Sequence, residues 1–119
     1  MKRFTDLEVW RRSHTLFLDV LKELDGLPRT RAAAALTDQV VRSIGSIGAN
    51  IAEGFNRSKS RYLNALDIAL GEANESENWL YKVRDAGFIS PETAKPYIAE
   101  CIEIEKMLSG LIRSIRSKP

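Results

Sequence analysis

The stretch Ser43-Ile44-Gly45-Ser46-Ile47-Gly48-Ala49-Asn50-Ile51-Ala52-Glu53-Gly54 constrains the fold more than any other part of the chain. Ile44, Ile47 and Ile51 repeat at three- and four-residue spacing, which is one face of a helix. Two glycines lie in its interior, and each costs roughly 1 kcal/mol relative to alanine there. Something must offset that loss. Gly45, Gly48, Ala49 and Ala52 leave low ridges where a neighbouring helix can come close, so this stretch is expected to be the packing hub of a small helical bundle. Asn50 and Glu53 stand beside the seam and must be hydrogen-bonded or face water. Gly54 is expected to end the helix as a left-handed cap.

The rest of the chain supplies three more helices. The first opens on a capping-box pattern, Thr5 with Glu8, and on Phe4 and Val9 placed for a hydrophobic staple. Its apolar seam reads Leu7, Trp10, His14, Phe17, Leu21 and Leu24. Asp25-Gly26-Leu27-Pro28 stops it, and Thr30 or a neighbour starts the second helix, whose inward face is Leu36, Val40, Ser43 or Ile44, Ile47 and Ile51. Ser58 can cap the third, with Tyr62, Leu66, Ala69, Ala73, Ser76, Leu80 and Val83 facing inward. Gly87 with Phe88 and Ile89 predicts a Schellman end. Ser90-Pro91 then restarts helix, Pro96 should kink it, and Tyr97, Cys101, Ile104, Leu108, Leu111 and Ile115 follow. No window alternates as a strand does. Short links make neighbours antiparallel, so residues 1–119 are expected to form one all-α domain, an antiparallel up-down-up-down four-helix bundle.

Composition excludes several classes. No apolar run approaches the roughly 20 residues a membrane helix needs, so no membrane partner is expected. The N-terminus turns acidic and helical at once, unlike a signal peptide. A single cysteine, Cys101, cannot form an intramolecular disulfide and suits a reducing cytosol, so a cytoplasmic location is expected.

Several residues resemble a known family. Asp38-Gln39, Arg42, Ser46-Ile47, Asn50-Ile51-Ala52-Glu53-Gly54-Phe55 and Arg57-Ser58 look like the signature of the bacterial 23S rRNA intervening-sequence proteins. Phe4, Asp6-Leu7 and Val9-Trp10 match that family's opening. Ile68-Ala69, Gly71 and Glu75 match its third helix, and Lys106-Met107-Leu108 with Leu111-Ile112 its fourth. The resemblance implies a small four-helix bundle that assembles as a ring-like homopentamer. A related branch holds the accessory variability determinants of diversity-generating retroelements, basic pentamers that bind a reverse transcriptase and nucleic acid.

Charge gives the sequence its main functional signal. In the expected topology one end of the bundle collects Lys2, Arg3, Arg57, Lys59, Arg61, Arg113, Arg116 and Lys118. Against these eight cations stand Asp6, Glu8 and Glu53, a net of +5, which leaves −3 on the remainder of a chain whose total is +2. Such a pole attracts phosphates, and a symmetric oligomer multiplies it into a basic rim. Few aromatics accompany it, so salt-sensitive, sequence-tolerant binding of RNA or DNA is expected. The plainer reading is that cations at termini and links keep a small protein soluble.

The remaining candidates are weaker. Glu53, with Asn50 and with Glu75 nearby across the second and third helices, could make a catalytic carboxylate pair. A structural role is preferred, with Asn50, Glu53, Gly54 and Glu75 tying helix ends or subunits together and Glu53 accepting from Arg42, Arg57 or Arg61. His14 reads as a core histidine and Cys101 as a small core residue. One histidine and one cysteine on different helices make no credible metal site, and no cofactor motif occurs. Trp79 and Tyr81 fall beside the third-helix seam, where an exposed aromatic marks an interface. The sequence therefore points to a non-enzymatic homo-oligomer that binds nucleic acid, with a protein-interaction scaffold as the alternative.

Overall fold

In a computed structural model, which describes residues 1–119, four helices run in sequence and no strand occurs. They are α1 (Glu8–Leu24), α2 (Arg31–Gly54), α3 (Lys59–Asp85) and α4 (Pro91–Arg116), preceded by a single 3-10 turn at Phe4–Asp6. Each helix packs on the two that neighbour it around a square, and the diagonal pairs do not meet. The bundle is a rod of 50 × 20 × 19 Å. None of the helices is long and apolar enough to cross a membrane.

Helix ends follow local chemistry. Thr30 Oγ1 accepts from the Ala33 amide at 3.2 Å, Ser58 Oγ from Arg61 at 3.4 Å and Ser90 Oγ from Thr93 at 3.0 Å. Gly87 sits at φ 83° after α3. The Phe88 amide reaches the Val83 carbonyl at 3.1 Å and the Gly87 amide that of Arg84 at 3.0 Å, which is the full Schellman pair. Pro96 lies inside α4 without ending it; the loss is one backbone bond near the N-terminus, where tertiary packing of Ala94 and Ile98 holds the turn.

The start of α1 departs from expectation. Thr5 does not cap it. Instead the Asp6 carboxylate accepts from the amides of Lys2 and Arg3, both at 3.0 Å, and these bonds hold its pKa below the usual carboxylate value. Phe4 lies edge-on to Trp10 at 5.4 Å rather than stapling onto Val9.

The inward face of α1 is also rotated from the expected seam. Val9, Ser13, Leu16, Val20 and Leu24 are buried, while Leu21 is exposed. His14 is exposed too and stacks on Trp10 at 4.8 Å, so it is no core histidine. Trp10 and Phe17 sit on the flank because α2 offers them glycine. A methyl group added at Gly45 would lie 3.2 Å from the Phe17 ring, and one at Gly48 3.3 Å from Trp10 Nε1. The two helix-interior glycines therefore receive the α1 rings, not the backbone of α3.

Close approach of α2 to α3 rests on other residues. Ser43 and Ser76, both fully buried, meet hydroxyl to hydroxyl at 3.0 Å, with the Val40 and Glu72 carbonyls as further acceptors. At the far end Gly54 faces Ala65, and a Cβ on Gly54 would come within 2.4 Å of the Ala65 Cβ. From 54 back to 43, and from 65 on to 76, is eleven residues in each helix, so the antiparallel register holds without slip. Gly54 is not a left-handed cap; the positive φ falls on Asn56, at 60°. Contact, not conformation, requires glycine at position 54.

The core is otherwise aliphatic, with Val40, Ile44, Ile47, Ile51, Leu66, Leu80, Val83, Ile104 and Leu108 at or near zero exposure. α1 is tied to α4 by Arg12, whose Nε and Nη2 fork onto Glu100 at 2.9 and 2.6 Å, and by Tyr97 donating to Glu23 at 3.0 Å.

Candidate nucleic-acid interface

Three segments meet at one end of the rod. Lys59, the first residue of α3, donates from its ammonium to the Lys118 carbonyl, which brings the chain end against the start of α3. The N-terminal turn closes the same end, because Phe4 and Trp10 share a groove with Ala49 and Ala52 in the last turns of α2. Arg113 and Arg116 occupy the last turn of α4, where they also complement the helix dipole. Lys2, Arg3, Arg57, Lys59, Arg61, Arg113, Arg116 and Lys118 are all exposed.

None of these eight cations is in an ion pair; the ion pairs of the chain join Arg12 to Glu8 and Glu100, and Arg84 to Asp85. Of the three carboxylates at this end, Asp6 is taken up by backbone amides and Glu8 lies 4.0 Å from Arg12. Neither contact cancels a charge, so the net of +5 counted from the sequence stands. Arg11 adds to it: its Nη1 donates to the carbonyls of Thr5 at 3.2 Å and Asp6 at 2.9 Å, fixing the N-terminal turn. Helical spacing does not mark that role, because it depends on the chain turning back over α1 at Thr5 and Asp6.

Glu53 is exposed at the edge of the same end and pairs with neither Arg42, Arg57 nor Arg61. Asn50 is held by its own helix, Nδ2 to the Ser46 carbonyl at 2.8 Å. Both line a depression of about 250 Å³ at the α2–α3 corner, together with Gly54, Arg57 and Arg61. Glu75 does not join them. The α2–α3 register sets Glu75 level with Ile44, about nine residues from Glu53 and so roughly 13 Å along the axis at 1.5 Å per residue. The two carboxylates cannot act as a pair.

Trp79 and Tyr81 are half-buried, and neither stands open. Lys82 Nζ lies 5.7 Å from the Trp79 ring and the Arg84 guanidinium 5.0 Å from the Tyr81 ring. The Trp79 indole N–H is buried with no acceptor. Tyr81 donates to Glu77 at 2.5 Å, and that bond raises its pKa.

Glu77 belongs to a cluster that the sequence did not signal. Across the α3–α4 seam, burial first, then the hydrogen bond and charge of Glu77, push the Glu105 carboxyl up to about 7. Glu105 Oε2 is buried with no donor to accept from. A proton on the pair resolves both facts: it satisfies that oxygen and removes the repulsion between two carboxylates. Cys101 lies fully buried near both, and burial pushes its thiol up to about 12. A thiol so placed is a core residue, as the sequence suggests.

The bundle resembles a crystal structure of a protein of unknown function from the S23 ribosomal protein family of Bacteroides thetaiotaomicron VPI-5482. The two share 31% identity with a TM-score of 0.81, over 87% of this chain and 97% of that one. No curated protein matches. Residues 5–110 match the 23S rRNA-intervening sequence proteins, and that match includes both the Asn50–Gly54 motif and the α2–α3 corner it builds. The chain belongs to the 23S rRNA-intervening sequence protein family.

Proposed function

We propose that this protein is a non-enzymatic, self-associating bundle that binds RNA or DNA through its basic end. The observation that carries the reading is the set of eight exposed cations, brought together from both termini and the α2–α3 link, with no carboxylate paired to any of them. Cations left free of ion pairs keep their full attraction for phosphate and release counterions on binding. Self-association is supported by apolar side chains left open on one face of α1: Leu18 is 49% and Leu21 41% exposed, about one helical turn apart.

Retention on structured RNA and on single-stranded DNA tests the first part. Binding is expected at about 50 mM salt and should fall steeply by about 200 mM. Replacing Arg57, Lys59 and Arg61 together by alanine should lower the slope of log affinity against log salt by about 2, at roughly 0.7 per lost single-strand phosphate contact. No retention of the natural sequence at low salt refutes the reading. Absolute mass in solution tests the second part, and a monomer at working concentration refutes it.

A further inference from the structure

The depression at the α2–α3 corner differs from the rest of the basic end because it also carries acceptors and an apolar floor. Asn50 and Glu53 line it from α2, Arg57 from the link and Arg61 from α3. Asn64 and Ile68 complete it from α3. Glu53, Arg57, Arg61 and Asn64 are exposed, and their side-chain polar groups make no hydrogen bond or ion pair within the chain. Asn50 spends its Nδ2 on Ser46, which leaves its carbonyl oxygen free. The walls are fixed: contact between Gly54 and Ala65 admits no side chain at 54, and Asn56 at φ 60° turns the chain so that Arg57 follows directly.

A ligand matching this set needs an anionic group for the arginines, paired N–H donors for the carboxylate, and a flat apolar face for Ile68. A guanine nucleotide has all three. Its N1–H and N2 amino group lie side by side on the Watson–Crick edge, where one carboxylate accepts both, and its phosphate suits a guanidinium fork. We infer that the α2–α3 corner reads a single unpaired guanosine in the nucleic acid held by the basic end, with Glu53 on the base edge and Arg57 and Arg61 on its phosphate. This rests on the nucleic-acid reading above and narrows it: cations elsewhere on that end hold any sequence, while this corner selects.

A short labelled oligouridine, the same oligomer with one central guanosine, and one with inosine there form the test, read by fluorescence anisotropy at moderate salt. The guanosine oligomer should bind about ten-fold tighter than oligouridine, as one bidentate base contact implies, with inosine between them. Glu53→Gln should erase the guanosine preference while oligouridine affinity holds or rises, since a negative charge is lost. Both Glu53 and Asn64 are exposed, so Glu53→Gln and Asn64→Ala should keep the helical circular dichroism; Asn64→Ala should reduce the preference. Equal affinity for all three oligomers, or a preference that survives Glu53→Gln, overturns the inference and leaves the basic end standing. Failure of every oligomer to bind overturns the wider reading and this one with it. A change of solution mass in Glu53→Gln, with no change in preference, assigns the corner to a contact between copies and overturns the inference as well.

Discussion

Replacing Gly54 with alanine tests the claim that the far end of the α2–α3 seam is closed by contact. The added methyl would sit 2.4 Å from the Ala65 Cβ, where carbon atoms prefer about 3.5–4.0 Å. The helices must part by more than an ångström, or one must rotate, in a region where Ile51 and Leu66 are fully buried. Overpacking of this kind costs about 1–3 kcal/mol, against a helix-propensity gain below about 1 kcal/mol at a terminal helical residue. The net loss is about 1–2 kcal/mol, or a fall in melting temperature of about 3–10 °C for a domain of this size. Two companions make the test sharp. Ala65→Gly removes the obstacle, so the double variant should be more stable than the sum of the singles by about 1–2 kcal/mol. Gly71 is exposed with nothing within 4 Å of an added Cβ, so Gly71→Ala should stabilise by about 0.5–1 kcal/mol. Urea unfolding with unchanged slope, backed by calorimetry, reads all four. If Gly54→Ala is as stable as the natural chain, or if the double variant shows no coupling, the close-contact account of this glycine is wrong.

Other tests address the α3–α4 and α1–α4 contacts. Glu105 holds its proton in the folded chain up to about 7, against 4.5 when unfolded, so the folded state binds the extra proton between those values. Stability should therefore be greatest below about pH 4.5 as far as this group is concerned, and be lost as pH rises through about 7. The loss is about 1–2 kcal/mol after discounting for solvent at a half-buried group. Glu105→Gln, followed by chemical denaturation across that range, should flatten the dependence; an unchanged profile rules out the shared proton. Arg12→Met should cost about 1 kcal/mol through its half-buried fork on Glu100, and Glu100→Gln nearly the same. A double-mutant cycle that finds no coupling between the two would show the fork to be energetically idle.

Much of the fold was legible because helix periodicity, caps and the Schellman end are local. Ser58, Ser90-Pro91 and Gly87 act within one turn, so their spacing alone specifies what they do. The α3 seam was equally clear, since Ala69, Ala73 and Ser76 leave one face that can be inward. The inward face of α1 is not specified by its own pattern, because the helix carries large apolar residues on more than half its circumference. Trp10 and Phe17 outweigh Val9 and Ser13 in any one-helix pattern, and only the glycines of α2 show that the rings belong on the flank. Gly54 is ambiguous for a related reason: a glycine at a helix end fits both a left-handed turn and a close contact. The +5 end was legible from topology, whereas the Glu77–Glu105 pair was not, because i to i+3 and i to i+4 rules say nothing about side chains meeting across a seam. Likewise Glu53 and Glu75 looked adjacent until the helix register fixed their separation.

Cys101 gives this architecture an experimental consequence. With a thiol near 12 and no exposure, only about one molecule in ten thousand would carry a thiolate at pH 8, and none of it in reach of solvent. A thiol reagent can then modify the chain only when α3 and α4 separate, and modification reports the frequency of that event. The lone cysteine is thus an intrinsic probe of how often the rod comes apart along its length. Labelling rates taken with and without an oligonucleotide would show whether engagement at one end is felt in the middle of the bundle.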